Sequence, residues 1–212
     1  MTGRLGSVNV VAELRDDPHG PVGRTAIDKR PVETSVLLTI LGPAGDVVVD
    51  RESHGGSDQA VYAYAQEDLD DWARELGREL SPGQFGENLT TNGVDVTGAV
   101  IGEIWTIGEV RLQVRGHRTP CTTFQYWLDE PQWVKRFTMK GAPGAYLKVL
   151  SEGPVAAGDE IVVSERPAHG VTIGEVFAGR RGDKERLALL LDEPDLADEM
   201  MSYLKQELAV GS

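Results

Sequence analysis

Apolar positions recur along the chain with two periods, and the switch between them divides it into elements. In V-R-L-Q-V, from Val110 to Val114, Val110, Leu112 and Val114 alternate with Arg111 and Gln113, the pattern of a strand buried on one face. Arg4–Leu14, Thr34–Leu41, Ala60–Tyr64, Ala145–Leu150 and Glu160–Ser164 also read as strands. Thr25–Val32 is a shorter extended piece, and its Pro31 confines it to an edge or a bulge. The Gly42-Pro43-Ala44-Gly45 turn predicts that Thr34–Leu41 is returned by Val47–Val49. From Glu67 the period lengthens. Leu69, Trp72, Ala73, Leu76 and Leu80 follow helical spacing as far as a stop at Pro82-Gly83. Trp127–Met139 is aromatic-rich and ambiguous, a candidate helix covering a site.

Arg166-Pro167 marks a change of composition. Beyond it, T-I-G-E from Thr172 to Glu175 fits a capping box that opens a short helix. Lys184–Leu191 reads as a second helix, and Leu196, Met200, Leu204 and Leu208 form a stripe along a third, with Asp195 as its cap. Helices this short are marginal alone, so they are expected to dock on the rest of the chain or on a partner. Many short strands, glycine turns and one amphipathic helix predict a mainly β protein with some α. The expected architecture is a β-barrel over residues 1–165 with a small three-helix C-terminal appendage over 166–212. No strand–helix repeat of the nucleotide-binding kind is visible.

Charge narrows the range of partners. The 212 residues include 21 Lys and Arg against 34 Asp and Glu, a formal net charge of −13. Such a surface repels nucleic acid and anionic lipid, and no apolar run approaches the roughly 20 residues needed to span a bilayer. Neither nucleic acid nor membrane is therefore expected as a partner. A single cysteine rules out an internal disulfide framework and makes a reducing cytoplasm the expected location. Against the acidic background, basic residues fall in pairs: Lys29 with Arg30, Arg51 with His54, and His117 with Arg118. Gathered into one cleft, they would form a positive hole suited to a small, multiply anionic ligand.

The only cysteine, Cys121, ends the stretch V-R-L-Q-V-R-G-H-R-T-P-C that begins at Val110. Cysteine alone is most often a small buried hydrophobe. Basic neighbours and the turn at Gly116 favour a thiolate that reacts or binds metal. A Cys-rich zinc site is excluded because no partner cysteine exists, and a protease-like pair with His54 or His117 lacks any visible oxyanion hole. His54-Gly55-Gly56-Ser57-Asp58 is either a glycine turn capped by Asp58 or a cradle of amides and imidazole for an anion. Asn88, in F-G-E-N-L-T, is either a turn residue or a contact to a polar ligand edge. Lys29, Arg51 and Arg118 would, in the plainest reading, be solvated charges.

Taken together and in order, T-A-I-D-K-R-P-V, G-D-V-V-V-D-R-E-S-H-G-G-S-D-Q-A-V, F-G-E-N-L-T, I-G-E-I-W-T-I-G and R-T-P-C resemble the MOSC-domain family, and within it the YiiM-type bacterial members. That family is named for the C-terminal domain of molybdenum cofactor sulfurase. The resemblance spans roughly Gly3 to Ser164, and the tail resembles the three-helix appendage of the YiiM type. It implies a MOSC-type barrel that binds the molybdenum cofactor (molybdopterin), with Cys121 as the protein ligand to the metal. Lys29, Arg51, His54, Ser57, Asp58, Asn88 and Arg118 then fall in motifs that surround the pterin and its phosphate. Gln59 stands where relatives often carry lysine. The implied activity is a molybdenum-dependent oxidoreductase that reduces N-hydroxylated compounds such as hydroxylaminopurines, hydroxylamines or amidoximes. Cys121 and His54 are its catalytic candidates, His54 as proton donor. No dinucleotide or iron–sulfur motif is present, so electrons are expected from a separate reductase docking on the acidic surface, at the Glu67–Glu79 helix or the tail. Two rivals remain at this stage: a persulfide carrier using Cys121, and a non-catalytic carrier or store of the cofactor.

Overall fold

The computed structural model describes residues 2–50 and 55–209. The first strand, β1 (Thr2–Asp16), is long enough to serve two sheets. Its first half pairs with β11 (Glu160–Ser164) and with β6 (Leu89–Asn92), and its second half pairs with β2 (Arg24–Pro31). Register shifts at Val11/Glu13 and Glu13/Arg15 interrupt the ladder in that second half, as bulges do. The remaining barrel strands are β5 (Val61–Ala65), β7 (Ile104–Ile107), β8 (Val110–His117) and β9 (Ala145–Ser151). The order β11-β7-β8-β9-β5-β6-β1 closes on itself through β1–β11, giving the expected barrel, with seven strands. A small second sheet joins β3 (Val36–Thr39) to β4 (Gly42–Pro43) and to β10 (Gly153–Val155).

Within the barrel, β5 and β6 are the parallel pair, and parallel neighbours need a crossover. Helix α1 (Gln66–Leu76) and the loop through F-G-E-N-L-T supply it, which places Asn88 at the end of the crossover beside β5. α1 stops earlier than its apolar spacing predicts. Gly77 takes a left-handed conformation (φ 65°), its N–H bonds the carbonyl of Ala73, and Leu80 packs from the following loop. The ambiguous aromatic stretch is two helices, α2 (Thr122–Leu128) and α3 (Trp133–Lys140). Asp129 and Gln132, both at positive φ, reverse the chain between them without glycine, a turn that propensity does not announce. Their Phe124, Trp133 and Phe137 join Tyr64, Trp72 and Phe85 in a second core against the barrel.

Two further expectations fail locally. Val47–Val49 is not a strand; the two residues of β4 return β3 instead. Asp195 does not cap the last helix, which begins three residues later as α6 (Asp198–Ala209). The capping box at Thr172 and Glu175 is present and opens α4 (Ile173–Ala178). The second helix is α5 (Lys184–Ala188), continued by a tighter turn over Leu189–Asp192. The tail docks on the barrel rather than standing apart. Ile173, Val176, Leu187, Leu190, Met200 and Leu204 belong to the same hydrophobic cluster as Leu5, Trp105 and Leu147 of the barrel.

Candidate functional site

β8 carries its apolar face into the barrel and leaves the strand end free to aim side chains. Past His117 the chain turns out through Arg118 and delivers Cys121 at the residue before α2. There the half-buried sulfur meets a cavity of about 620 Å³, within the range of small-molecule and cofactor sites. β2, the 17–25 segment, β4 with the chain that follows it, and Gly55-Gly56 form the other walls. Four of the residues singled out in the sequence meet on this cavity: Lys29, Asn88, Arg118 and Cys121.

Their partners differentiate them. The largely buried Lys29 Nζ donates to Asp46 Oδ2 at 2.5 Å, and desolvation holds its ammonium below the usual lysine range although Asp46 opposes the shift. Asp46 also accepts from Asn88 Nδ2 at 2.8 Å and from the Val11 amide at 3.0 Å. Asn88 is fully engaged, because its Oδ1 accepts from the Tyr62 amide at 3.1 Å and its Nδ2 reaches the Asn9 carbonyl at 3.3 Å. Arg118 differs. It donates to the Phe85 carbonyl and lies over the rings of Phe124 (4.2 Å) and Tyr62 (5.3 Å), with no carboxylate among its described hydrogen-bond or ion-pair partners. Gly86 makes room for this packing, since a Cβ there would sit 3.3 Å from the guanidinium.

The other expected site residues lie elsewhere. Ser57 is exposed off the cavity wall. Asp58 turns to Arg115 (Nε to Oδ1, 2.7 Å) and borders a second, smaller cavity of about 100 Å³ under α6. Arg30 leaves the cleft for Asp28, and His117 packs against Phe177 and Tyr203 of the tail. Burial pushes the His117 imidazole down to about 4, so it is neutral at physiological pH. Arg51 and His54 lie outside the described residues.

Four residues that the sequence reading passed over organise the site. Asp46 is the counter-ion of Lys29, and a lysine destined for burial should have prompted a search for one. Glu87, wholly buried, accepts from the Gly83 amide (2.5 Å), the Phe85 amide (3.0 Å) and Thr90 Oγ1 (2.9 Å), which shapes F-G-E-N-L-T. Tyr146 lines both cavities; burial raises its phenol, Arg118 opposes the rise, and its place on the non-core face of β9 was a readable signal. Arg115, buried, bonds Asp58, Gln113 and Asp195 and so ties the glycine loop to the approach of α6. Gln59 adds a second tie, donating to Glu199 Oε2 at 2.8 Å while accepting from the Gly55 amide at 3.3 Å.

Comparison with known proteins fits this geometry. The family model described as "MOSC domain" matches residues 50–162, a span that includes Arg118 and Cys121 but not Lys29. YflK of Bacillus subtilis is 34% identical over 156 residues, covering 74% of this chain and 70% of that protein. YiiM of Escherichia coli is 32% identical over 163 residues, covering 74% of this chain and 72% of its own length. A Gibberella moniliformis protein named as a reductase is 32% identical over 147 residues, 68% of this chain but 26% of that protein. The crystal structure of YiiM from Geobacillus stearothermophilus superposes with a TM-score of 0.80 at 25% identity, covering 97% of this chain and 99% of that one. A closed barrel, relatives at 34% and 32% identity covering 74% of the chain, and more than half the chain under the family model have one explanation: this chain belongs to the MOSC-domain family.

Proposed function

We propose that the cavity binds the molybdenum cofactor and that the chain is an oxidoreductase reducing N-hydroxylated small molecules with electrons from a separate reductase. The observation that supports this reading best is the donor set: one sulfur, Cys121, on a cavity wall beside a guanidinium that lacks a carboxylate partner among the described residues. No group of three or more His, Cys, Asp or Glu side chains converges among the described residues, so a metal held here must bring most of its ligands with it. A soft, deprotonated thiolate completing the shell of a metal already held by a dithiolene meets that condition. The residues therefore fit the cofactor that the family is associated with. When bound, that group supplies two-electron oxygen-atom transfer chemistry.

The chain's own contributions follow from the geometry. Arg118 holds an anionic group of the ligand by charge-assisted hydrogen bonds, and its plane is fixed by the Phe124 and Tyr62 rings. Lys29, already paired with Asp46, shapes the wall and adds little net attraction. Tyr146 presents a phenol kept protonated at neutral pH and can deliver the proton that water release requires; the earlier candidate, His54, lies outside the described residues. Phe124 and the start of α2 keep bulk water from the sulfur side. The reductase name of the fungal relative supports a redox role for such a domain within a longer protein. Docking of the electron donor is assigned to the acidic outer face of α1 at Glu67 and Asp70; Asp71 and Glu75 beside them are paired with Arg74, Arg136 and Lys140.

The deciding experiment is metal analysis of protein purified from a host that makes the cofactor. Near-stoichiometric molybdenum in the wild type, lost in Cys121→Ser, with reduction of an amidoxime when a competent reductase is supplied, is the expected result. Reductant-labile sulfur without molybdenum would replace this reading by a persulfide carrier. Bound cofactor without turnover would replace it by a cofactor store.

A further inference from the structure

We infer that the mouth of the cavity is an apolar lip selecting substrates with a ring-sized hydrophobic body, whose polar N-hydroxylated end points to the floor; the inference rests on the function proposed above. Three aliphatic side chains from separate segments converge on the same opening. Leu41, at the β3–β4 turn, is 72% exposed, Val22, in the loop after β1, is 48% exposed, and Val47 is 41% exposed, yet all three line the cavity. Large aliphatic groups left in water on a concave surface mark a place where something apolar is to be covered. The floor below is polar, with Arg118, the Lys29–Asp46 pair and Cys121. An amphiphilic ligand matches both layers, whereas a small, wholly polar one leaves the lip wet.

The lip is held in place. Thr123 Oγ1 donates to Asp17 Oδ2 at 2.5 Å, and the Asp17 amide bonds the Gly23 carbonyl at 2.9 Å, which fixes the Val22 loop against α2. On the other side Thr39 Oγ1 donates to the Gly42 carbonyl at 2.9 Å, and the Ile40 amide donates to Glu152 Oε1 at 2.8 Å. Gly42 adopts a φ of 116°, and a Cβ there would fall 2.5 Å from the Ala60 carbonyl, so the hairpin is seated closely on the chain leading into β5. Preorganised contact surface favours a ligand without an ordering cost. The same hairpin supplies its own control. Leu37 (47% exposed) and Ile40 (55% exposed) are equally apolar but do not line the cavity. A small molecule entering the cavity meets Leu41, Val22 and Val47; a docking protein would meet Leu37 and Ile40 as well.

The test uses the full chain and two probes, benzamidoxime and acetamidoxime, titrated calorimetrically and, in cofactor-loaded protein, compared by kcat/KM. Wild type should prefer benzamidoxime. Leu41→Ser combined with Val47→Ser should weaken benzamidoxime binding about tenfold and raise its KM with little change in kcat, leaving acetamidoxime within twofold. Leu37→Ser combined with Ile40→Ser should change neither. Absence of a wild-type preference, equal losses for both probes, or an equal loss in the control variant would overturn the lip as a substrate selector; the last would point to a protein-docking face. If loaded wild type binds benzamidoxime through the lip but reduces neither probe, the redox reading falls while the lip stands.

Discussion

Arg115, near the end of β8, and Arg118, just past it, are three residues apart and end in opposite electrostatic situations. Arg115, in the seam between barrel and tail, is buried and paired with Asp58 and Asp195. Arg118, on the cavity floor, has a carbonyl and two aromatic faces instead of an acid among its described partners. A buried cation whose charge is met by carboxylates serves the fold, because desolvation is offset within the chain. One met by a neutral carbonyl and π-faces, with no acid among its described partners, retains most of its field for something that arrives later. The difference separates a structural cation from a ligand-directed one, though both look alike in the sequence.

The contrast can be broken from the seam side first. Arg115→Leu removes one of the two ties between the glycine loop and the tail, leaving Asp58 only its longer contact to Lys148 (3.9 Å) and Asp195 without its arginine. Both carboxylates reach solvent, so the loss should be about 2–3 kcal/mol rather than the larger cost of stranding a fully buried charge. Calorimetry should show a Tm lower by roughly 5–10 °C.

His117 sharpens the same seam through pH. Its folded pKa of about 4 lies below the usual 6.5, so the unfolded chain binds the extra proton first. Its contribution to stability is full above pH 6.5 and is lost as pH falls toward 4, an effect of about 3 kcal/mol. Denaturant titrations across that window should show a flatter acid limb in His117→Phe than in wild type. Asp68, on α1 and away from both arginines, works in the other direction. Burial, with Asp95 and Glu67 nearby, raises its carboxyl to about 6, so the folded state holds a proton that the unfolded state has released. Stability therefore falls as pH rises from about 4 to 6, and Asp68→Asn should gain about 1 kcal/mol at pH 7 while gaining nothing at pH 4.

The smallest effect on stability belongs to the floor. Arg118→Met should change the unfolding free energy of ligand-free protein by within about 0.5 kcal/mol, since a costly buried charge is replaced by an apolar chain. Titration with inorganic phosphate should raise the Tm of wild type by ligand linkage and leave that variant unmoved. A large stability loss in Arg118→Met, or an unchanged phosphate response, would erase the distinction between the two arginines.

Much of this molecule follows from local pattern. Period-2 alternation at Val110, Leu112 and Val114 fixes the buried face of β8, and the Thr172–Glu175 box opens α4, because both depend on neighbours within a few residues. The ordered motifs identified the family and put Lys29, Asn88, Arg118 and Cys121 on one list, and the fold puts them on one cavity. Where helices stop was harder to read. Gly77 ends α1 although the apolar spacing runs on to Leu80, and Asp129 and Gln132 turn the chain in left-handed conformations that non-glycine residues seldom announce. Only the tertiary structure decided which charges are already compensated. Lys29 meets Asp46, Asp58 meets Arg115, and Gln59 reaches Glu199 across 140 positions, and no local rule pairs side chains so far apart in the chain. Composition and period determine which surfaces must be buried; the closure of the barrel determines which charges facing the cavity meet a counter-charge among the described residues and which do not.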